Sequence, residues 1–153
     1  MNERAMSSKI LILNGPNLNM LGTREVEIYG KDTLAEIEAK VRVRADEYVM
    51  EIDFRQSNSE AELVEWIQQS RDVFGGIIVN AGAYTHTSIA ILDALKMVDM
   101  PIIEVHLSNI FGRETFRKVS YISCAATGLI AGFGSTGYLL ALEAINDLTE
   151  AEN

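Results

Sequence analysis

MPIIEVHLSN, residues 100–109, is the stretch from which both the fold and a site can be predicted. Its first residues form an apolar run that is typical of a buried parallel strand, and polar side chains, among them Glu104 and His106, follow as that strand ends. Ligands of open α/β sheets bind beyond the carboxyl ends of the strands. His86, the other histidine of the chain, follows a second apolar run at residues 77–79. We therefore expect both histidines at one edge of one sheet, and this edge is the predicted functional site.

Segments with strand patterns alternate with helical segments on both sides of this stretch. Strands are predicted at residues 9–14, 48–56, 76–80, 101–106 and 119–123. Amphipathic helices are predicted at residues 33–46 and 59–75, a further helix at residues 88–98 and a long apolar helix at residues 135–149. Strands that are each followed by a helix or a loop pair in parallel, with right-handed crossovers. The predicted fold class is α/β, a flavodoxin-like three-layer sandwich whose five-stranded parallel sheet has the order 2-1-3-4-5 and helices on both faces.

The composition predicts one soluble domain. The chain has 153 residues, of which 48% are hydrophobic, enough for one core and too few residues for two. We predict a polar, disordered leader at residues 1–8, a single domain at residues 9–150 and a tail at residues 151–153. No run of about 18 apolar residues interrupts the chain, so no membrane span is expected. Cys124, the single cysteine, excludes an internal disulfide; its apolar neighbours predict a packed thiol, and a reducing cytoplasm fits this usage.

The charge and the motifs exclude several function classes. A formal net charge of −9 disfavours nucleic acid or an anionic membrane as a partner, although a small anionic substrate fits if arginines are concentrated locally. GFGSTG, residues 132–137, has dinucleotide-type glycine spacing, but it precedes the last helix instead of the first, so close helix packing is predicted. Asn14 and Asn80 end strands at which a phosphorylated receiver domain needs carboxylates. Two histidines on separate strands do not predict a metal site.

After these exclusions, acid–base catalysis is the remaining class of chemistry for the predicted site. The long connection at residues 15–32 is typical of a lid or a binding loop, and it carries Arg24 and Tyr29. A tyrosine ionises only near pH 10 in water, and a nearby guanidinium favours the phenolate. The pair is alternatively a surface cation and a packing aromatic.

Two further groups lie near the predicted edge. Glu104 precedes His106 by two residues on one strand face and is a candidate to orient its imidazole, although such histidines also serve structural roles. Arg113 and Arg117 have the spacing of one helical face and suit carboxylate recognition, or else they form a solvated basic turn.

Four ordered blocks of sequence resemble one family. They are LNGPNLNMLGTRE with the following IYG, FRQSNSEAELVEWI, IIVNAGAYTHTSIAILDAL, and IEVHLSNIFGRETFR with the downstream SYIS. Together, over about residues 9–148, they are similar to the type II 3-dehydroquinate dehydratases (type II dehydroquinases), small enzymes of the shikimate and quinate pathways that use no cofactor. The resemblance implies a hydro-lyase that eliminates water from 3-dehydroquinate, through an enolate, to give 3-dehydroshikimate for aromatic amino acid biosynthesis or during quinate catabolism.

The resemblance also implies roles for individual residues. Tyr29, as tyrosinate, would remove a proton from the carbon beside the ketone, with Arg24 stabilising the phenolate. Asn17 would stabilise the enolate through an ordered water. His106 would protonate the departing hydroxyl, with Glu104 as its orienting partner.

Substrate binding and assembly follow from the same resemblance. Leu107 and Ser108 would bind the substrate carboxylate through their backbone donors. The ring hydroxyls would be held by Asn80, His86 and Arg117. Arg113 would support the active tyrosine. Asp93 matches a residue that reaches into a neighbouring subunit's site, which implies trimers, four of which commonly form a dodecamer. The sequence departs from the family pattern at Leu92, where arginine is expected beside Asp93, and at Val26, Phe111, Gly112 and Cys124.

Two other functions stay open at this point. One is a catalytically inactive scaffold, against which the presence of every matched residue argues. The other is a flavodoxin-like nucleotide-binding module, which needs a phosphate-cradling loop after its first strand. Here that loop is Gly15-Pro16-Asn17, with one glycine and a proline that lacks an amide hydrogen, so no bound flavin is expected.

Overall fold

One parallel sheet forms the centre of the computed structural model, which describes residues 7–152. Its five strands are β1 (Lys9–Asn14), β2 (Glu51–Gln56), β3 (Gly76–Asn80), β4 (Ile102–His106) and β5 (Gly128–Ala131). Neighbouring strands are parallel, in the order β2-β1-β3-β4-β5. The predicted order 2-1-3-4-5 is confirmed, and the three central strands are fully buried apart from the first residue of β1.

Helices cover both faces of the sheet. They are α1 (Val26–Tyr29), α2 (Leu34–Glu47), α3 (Glu60–Gln69), α4 (Ile89–Leu95) and α5 (Thr136–Ala151). On one face, α2 and α5 contribute buried side chains such as Val41 and Leu142 to a core cluster. On the other face, α3 and α4 do the same with side chains such as Ile67 and Ile91. The predicted three-layer sandwich is therefore confirmed.

Side-chain caps fix where the helices begin. Thr33 forms a full capping box with Glu36 at the start of α2, as its spacing predicts. Ser59 accepts the Glu62 N–H at the start of α3. Helix α3 ends at Gln69, earlier than the predicted limit of residue 75. Residues 70–74 form a turn instead, in which the N–H groups of Val73 and Phe74 donate to the Ser70 carbonyl.

The fifth strand lies later in the chain than predicted. Residues 119–123 were expected to form it, but β5 is Gly128–Ala131, and Ile122–Cys124 is a 3-10 helix. The prediction was wrong because the 119–123 segment is held outside the sheet, through the Tyr121 N–H bonded to the Thr85 carbonyl. Only Ile122 of that 3-10 helix is buried, so Cys124 is exposed and the prediction of a packed thiol was also wrong.

The connection after β1, the glycine-rich segment before α5 and the two ends of the chain complete the description of the fold. The connection at residues 15–32 contains α1 and a 3-10 helix at Leu18–Met20. A Cβ on Gly137 would lie 3.3 Å from Val105 Cγ1, so the glycine-rich segment serves close packing of α5 on β4, as predicted. Residues 1–6 of the predicted leader and residue 153 of the tail lie outside the described residues. Across residues 7–152, no helix is long and apolar enough to cross a membrane.

Candidate active site

A small cavity lies over the carboxyl edge of the sheet. Asn14 and Asn80 are paired in register at the ends of β1 and β3, and His106 ends β4 beside them. The volume of the cavity is about 150 Å³, comparable to cavities that hold a single six-membered ring. All but two of the predicted site residues line it, namely Asn17, Arg24, Tyr29, Asn80, His86, His106, Leu107, Ser108, Arg113 and Arg117.

Glu104 lies beneath this cavity and orients His106. Its side chain is fully buried, and one carboxylate oxygen accepts a hydrogen bond from His106 Nε2. The hydroxyl of Ser120 donates to the same oxygen at 2.8 Å, and the hydroxyl of Ser123 donates to the other oxygen. Burial raises the pKa of the Glu104 carboxyl, but the hydrogen bonds from His106 and the two serines more than offset it, so the pKa lies below its ordinary value. Glu104 is therefore a carboxylate at neutral pH.

His86 and His106 lie side by side, as the strand pattern predicts. Their ring centroids are 6.4 Å apart with an interplanar angle of 20°. His86 Nδ1 donates to the Val119 carbonyl at 2.7 Å, which leaves its Nε2 as the ring nitrogen for a ligand. His106 uses Nε2 on Glu104, which leaves Nδ1. Each imidazole is thus fixed by one nitrogen and can act through the other.

Tyr29 ends α1 with two guanidinium groups against its ring. The guanidinium carbons of Arg24 and Arg113 lie 5.0 and 5.2 Å from the ring centroid. Arg113 Nη1 also donates a hydrogen bond to the phenol oxygen at 3.0 Å and contacts Ser108 Oγ at 3.4 Å. The α1 helix has no buried residue, and it follows Glu25, whose φ of 39° is left-handed. The segment that carries Tyr29 therefore lies over the cavity without a fully buried side chain, and Tyr29 is its partly buried contact with the core.

Two asparagines also line the cavity. Asn17 adopts φ 70°, and its N–H donates to Asn58 Oδ1 at 3.0 Å. Asn80 is buried; its Nδ2 donates to the Tyr138 hydroxyl at 3.0 Å, and that hydroxyl donates to Asn14 Oδ1 at 2.6 Å. Burial raises the pKa of Tyr138, so its hydroxyl stays protonated and fixes the Asn80 amide.

The cavity is locally cationic although the chain is acidic. Arg24, Arg113 and Arg117 line it, and Glu25 is the acidic side chain in the lining. Glu25 pairs loosely with Arg24 at 3.8 Å, and Glu114 outside the lining pairs with Arg117 at 2.9 Å. The charge of the lining therefore suits a small anion. Within the described part of the chain, no group of three or more His, Cys, Asp or Glu side chains could hold a metal ion.

Known proteins match this chain over most of its length. The family model "Dehydroquinase class II" matches residues 8–146. The chain belongs to this family. It is 54% identical over 137 residues to the 3-dehydroquinate dehydratase of Methylobacterium radiotolerans, with 90% of this chain and 92% of the relative covered. It is 51% identical over 146 residues to 3-dehydroquinate dehydratase 2 of Pseudomonas aeruginosa, with coverages of 95% and 99%.

Solved dehydroquinases of class II share the fold as well. The type II dehydroquinase from Propionibacterium acnes superposes with a TM-score of 0.89 at 44% identity, covering 93% of this chain and 98% of that one. The type II dehydroquinase from Butyrivibrio crossotus gives 0.89 at 40% identity, with coverages of 92% and 98%. The sheet described above is therefore that of a type II dehydroquinase fold.

Asp93 is the one predicted residue that the dehydroquinase cavity does not bring close. It lies exposed on α4 and does not line the cavity. Its neighbour Leu92, where the family pattern has arginine, is buried.

Some residues that build the site escaped sequence reasoning. Lining residues not singled out are Pro16, Leu18, Glu25, Gly82, Ala83 and Ile110. Ser120 and Ser123, which contact Glu104, were also missed as individual residues. The SYIS block contains both serines. Residues 119–123 were predicted as a strand, whereas the structure has a 3-10 turn there, and this turn directs the two serine hydroxyls to Glu104.

Proposed function

We propose that this dehydroquinase is a hydro-lyase that removes water from 3-dehydroquinate to give 3-dehydroshikimate. One observation carries the proposal: the phenol of Tyr29 and the Glu104-oriented imidazole of His106 line one cavity of single-ring size. Elimination from a carbon acid without metal or Schiff base needs a base, a separate acid and donors for the enolate oxygen. The lining residues offer all three.

Tyr29 acts as the base in this proposal. As tyrosinate it takes a proton from the carbon beside the ketone, and the electron pair of that C–H bond forms the enolate. The position of Arg24 and Arg113 supports this role, because positive charge beside a phenol favours its anionic form. Asn17, exposed at the cavity wall, supplies a donor to the enolate oxygen through a water.

His106 acts as the acid. When the enolate collapses, the C–O bond to the leaving hydroxyl breaks, and the imidazolium gives that oxygen a proton so that it leaves as water. The Glu104 carboxylate supports this role, since it favours a positively charged imidazole and holds it in one orientation.

The other lining residues bind the substrate. Leu107 and Ser108 follow β4 and offer backbone N–H groups to the substrate carboxylate. Asn80, His86 and Arg117 hold the ring hydroxyls, and Arg113 bridges the tyrosine and Ser108. No cofactor or metal enters the proposed reaction.

We further propose a homo-oligomer in which Asp93 completes the site of a neighbouring subunit, in trimers that assemble into a dodecamer. The exposed position of Asp93 on α4 is compatible with such a contact. A cytoplasmic location is proposed from the single, exposed cysteine, which suits a reducing compartment. There the reaction serves shikimate production or quinate breakdown, which share this dehydration.

The proposal is tested by adding 3-dehydroquinate to purified protein in the presence of a chelator. We expect the ultraviolet absorbance of the conjugated product to rise with multiple turnovers, without added metal or cofactor. A protein that leaves the substrate unchanged, or that turns over only after metal is restored, would contradict the proposal.

A further inference from the structure

The 119–124 segment, which joins no strand, contacts both histidines of the site. The Val119 carbonyl accepts from His86 Nδ1 at 2.7 Å. The hydroxyls of Ser120 and Ser123 donate to the two oxygens of Glu104, which in turn accepts from His106. One short segment therefore fixes the orientation of both imidazoles, directly in one case and through a carboxylate in the other.

The serine hydroxyls are themselves oriented. Ser123 N–H donates to Ser120 Oγ at 3.1 Å, so the Ser120 oxygen accepts from the backbone and its proton points to Glu104. The segment is tied down by the Tyr121 N–H, which donates to the Thr85 carbonyl at 2.9 Å next to His86. A hydrogen-bonded turn, and not a flexible side chain alone, thus presents both hydroxyls.

We propose that Ser120 and Ser123 are positioning residues that keep buried Glu104 ionised and aligned with His106. The proposal rests on the function proposed above. A buried carboxylate without donors carries a desolvation cost that favours its neutral form. Glu104 is wholly buried, so solvent does not meet this need.

The chemistry of these donors suits the acid role of His106. Both hydroxyls are neutral, so they stabilise the carboxylate without balancing its charge. Among the described residues, His106 is the titratable group whose charge acts on Glu104, and His86 lies behind it, bonded to Val119. The negative charge of Glu104 therefore remains available to stabilise an imidazolium. A lysine or arginine in place of either serine would compete for that charge.

The test compares Ser120→Ala, Ser123→Ala and the double variant with the parent protein. Ser123 is exposed, so its variant should fold. We expect kcat to fall by about tenfold in the double variant, the scale of losing hydrogen bonds to a charged group, with KM little changed because Glu104 does not line the cavity. The acid limb of the kcat profile should move to higher pH, since removing the donors raises the pKa of Glu104.

Two controls separate this role from a structural one. Ser70 is a buried serine whose hydroxyl bonds the Ile67 carbonyl away from the site, so Ser70→Ala should leave the pH profile in place. The double threonine variant, Ser120→Thr with Ser123→Thr, retains both hydroxyls and should restore kcat and the acid limb.

A ¹³C NMR titration of the Glu104 carboxyl, assigned with Glu104→Gln, should show its midpoint at higher pH in the alanine variants.

The outcomes distinguish the two proposals. An active parent protein whose double alanine variant keeps its kcat, its acid limb and its Glu104 titration would overturn the role of the serines and leave the proposed function standing. A parent protein without dehydratase activity would overturn the proposed function, while the NMR titration would still decide whether the serines keep Glu104 ionised.

Discussion

Glu104 is the residue on which most of the site's electrostatics depend. It is fully buried, bonded to His106 and to two hydroxyls, and its pKa is lowered despite burial. A group whose folded pKa lies below its unfolded value stabilises the fold above the unfolded value, and the contribution is lost as the pH falls through the folded pKa. The ionised carboxylate therefore stabilises the fold at neutral pH.

Glu104→Gln tests this linkage. The amide keeps the shape but not the charge, so we expect kcat to fall about a hundredfold as the acid loses its counter-charge. Below the ordinary carboxyl value of 4.5, the parent protein should lose stability with falling pH more steeply than the variant. Thermal unfolding between pH 7 and pH 3 measures the difference, and parallel stability curves would contradict the assignment.

Single residues were predictable where local spacing decides their place. Glu104 and His106 lie two apart on one strand, and strand geometry puts both on one face. Ser120 and Ser123 were not predictable in the same way, because their contact with Glu104 depends on a 3-10 turn that brings them back over β4. Cys124 was misplaced for the same reason.

Among the elements, the connection from β1 into the cavity packs closely, backbone against backbone, on the end of β3. Gly15 donates its N–H to the Asn80 carbonyl at 2.8 Å, and a Cβ there would lie 2.3 Å from the Ala81 carbonyl oxygen. Backbone atoms cannot yield as a flexible side chain does. The close approach of this turn to β3 therefore sets where Asn17 lies.

Gly15→Ala should consequently destabilise the protein by about 3 kcal/mol or more, because the turn must separate from β3. Gly128→Ala in β5 is a matched control, since its nearest contact would be 3.9 Å away. Chemical denaturation of both variants measures the difference. Equal stability of the two would show that the Gly15 turn can move freely.

Elements were predictable where apolar runs and caps agree, as they do for β1, β3 and α2. The fifth strand was not, because β5 has only four residues and begins with a glycine. The position of β5 in the chain is set by its pairing with β4. Such a tertiary contact cannot be predicted from the local sequence pattern.

At the scale of the whole molecule, the sheet order brings distant residues to one edge. Asn80 and His106 end different parallel strands of the sheet, and Tyr29 on the connection after β1 joins them at the cavity, although the three residues are far apart in sequence. This convergence could be predicted from the alternation of strands and helices. The proposed role of Asp93 concerns the assembly of subunits, because it requires a second copy of the chain.

Complementation between inactive variants tests that assembly. If Asp93 completes a neighbour's site, Asp93→Ala and Tyr29→Phe should each be nearly inactive alone. Mixed oligomers from co-expression should recover activity, because some sites then combine an intact Tyr29 with an intact Asp93 from the adjacent subunit. Light scattering should report trimers or dodecamers. A monomeric protein, or mixtures that stay inactive, would contradict the shared site.

The proposed elimination depends on the phenol of Tyr29 acting as the base. Tyr29→Phe removes one oxygen from a half-buried side chain and keeps the ring that contacts Arg24 and Arg113. The most direct measurement is the rate of 3-dehydroshikimate formation by this variant, with circular dichroism to verify its fold. We expect a loss of about a thousandfold or more in kcat with the fold unchanged. A folded variant that retains kcat within threefold of the parent protein would contradict the assignment.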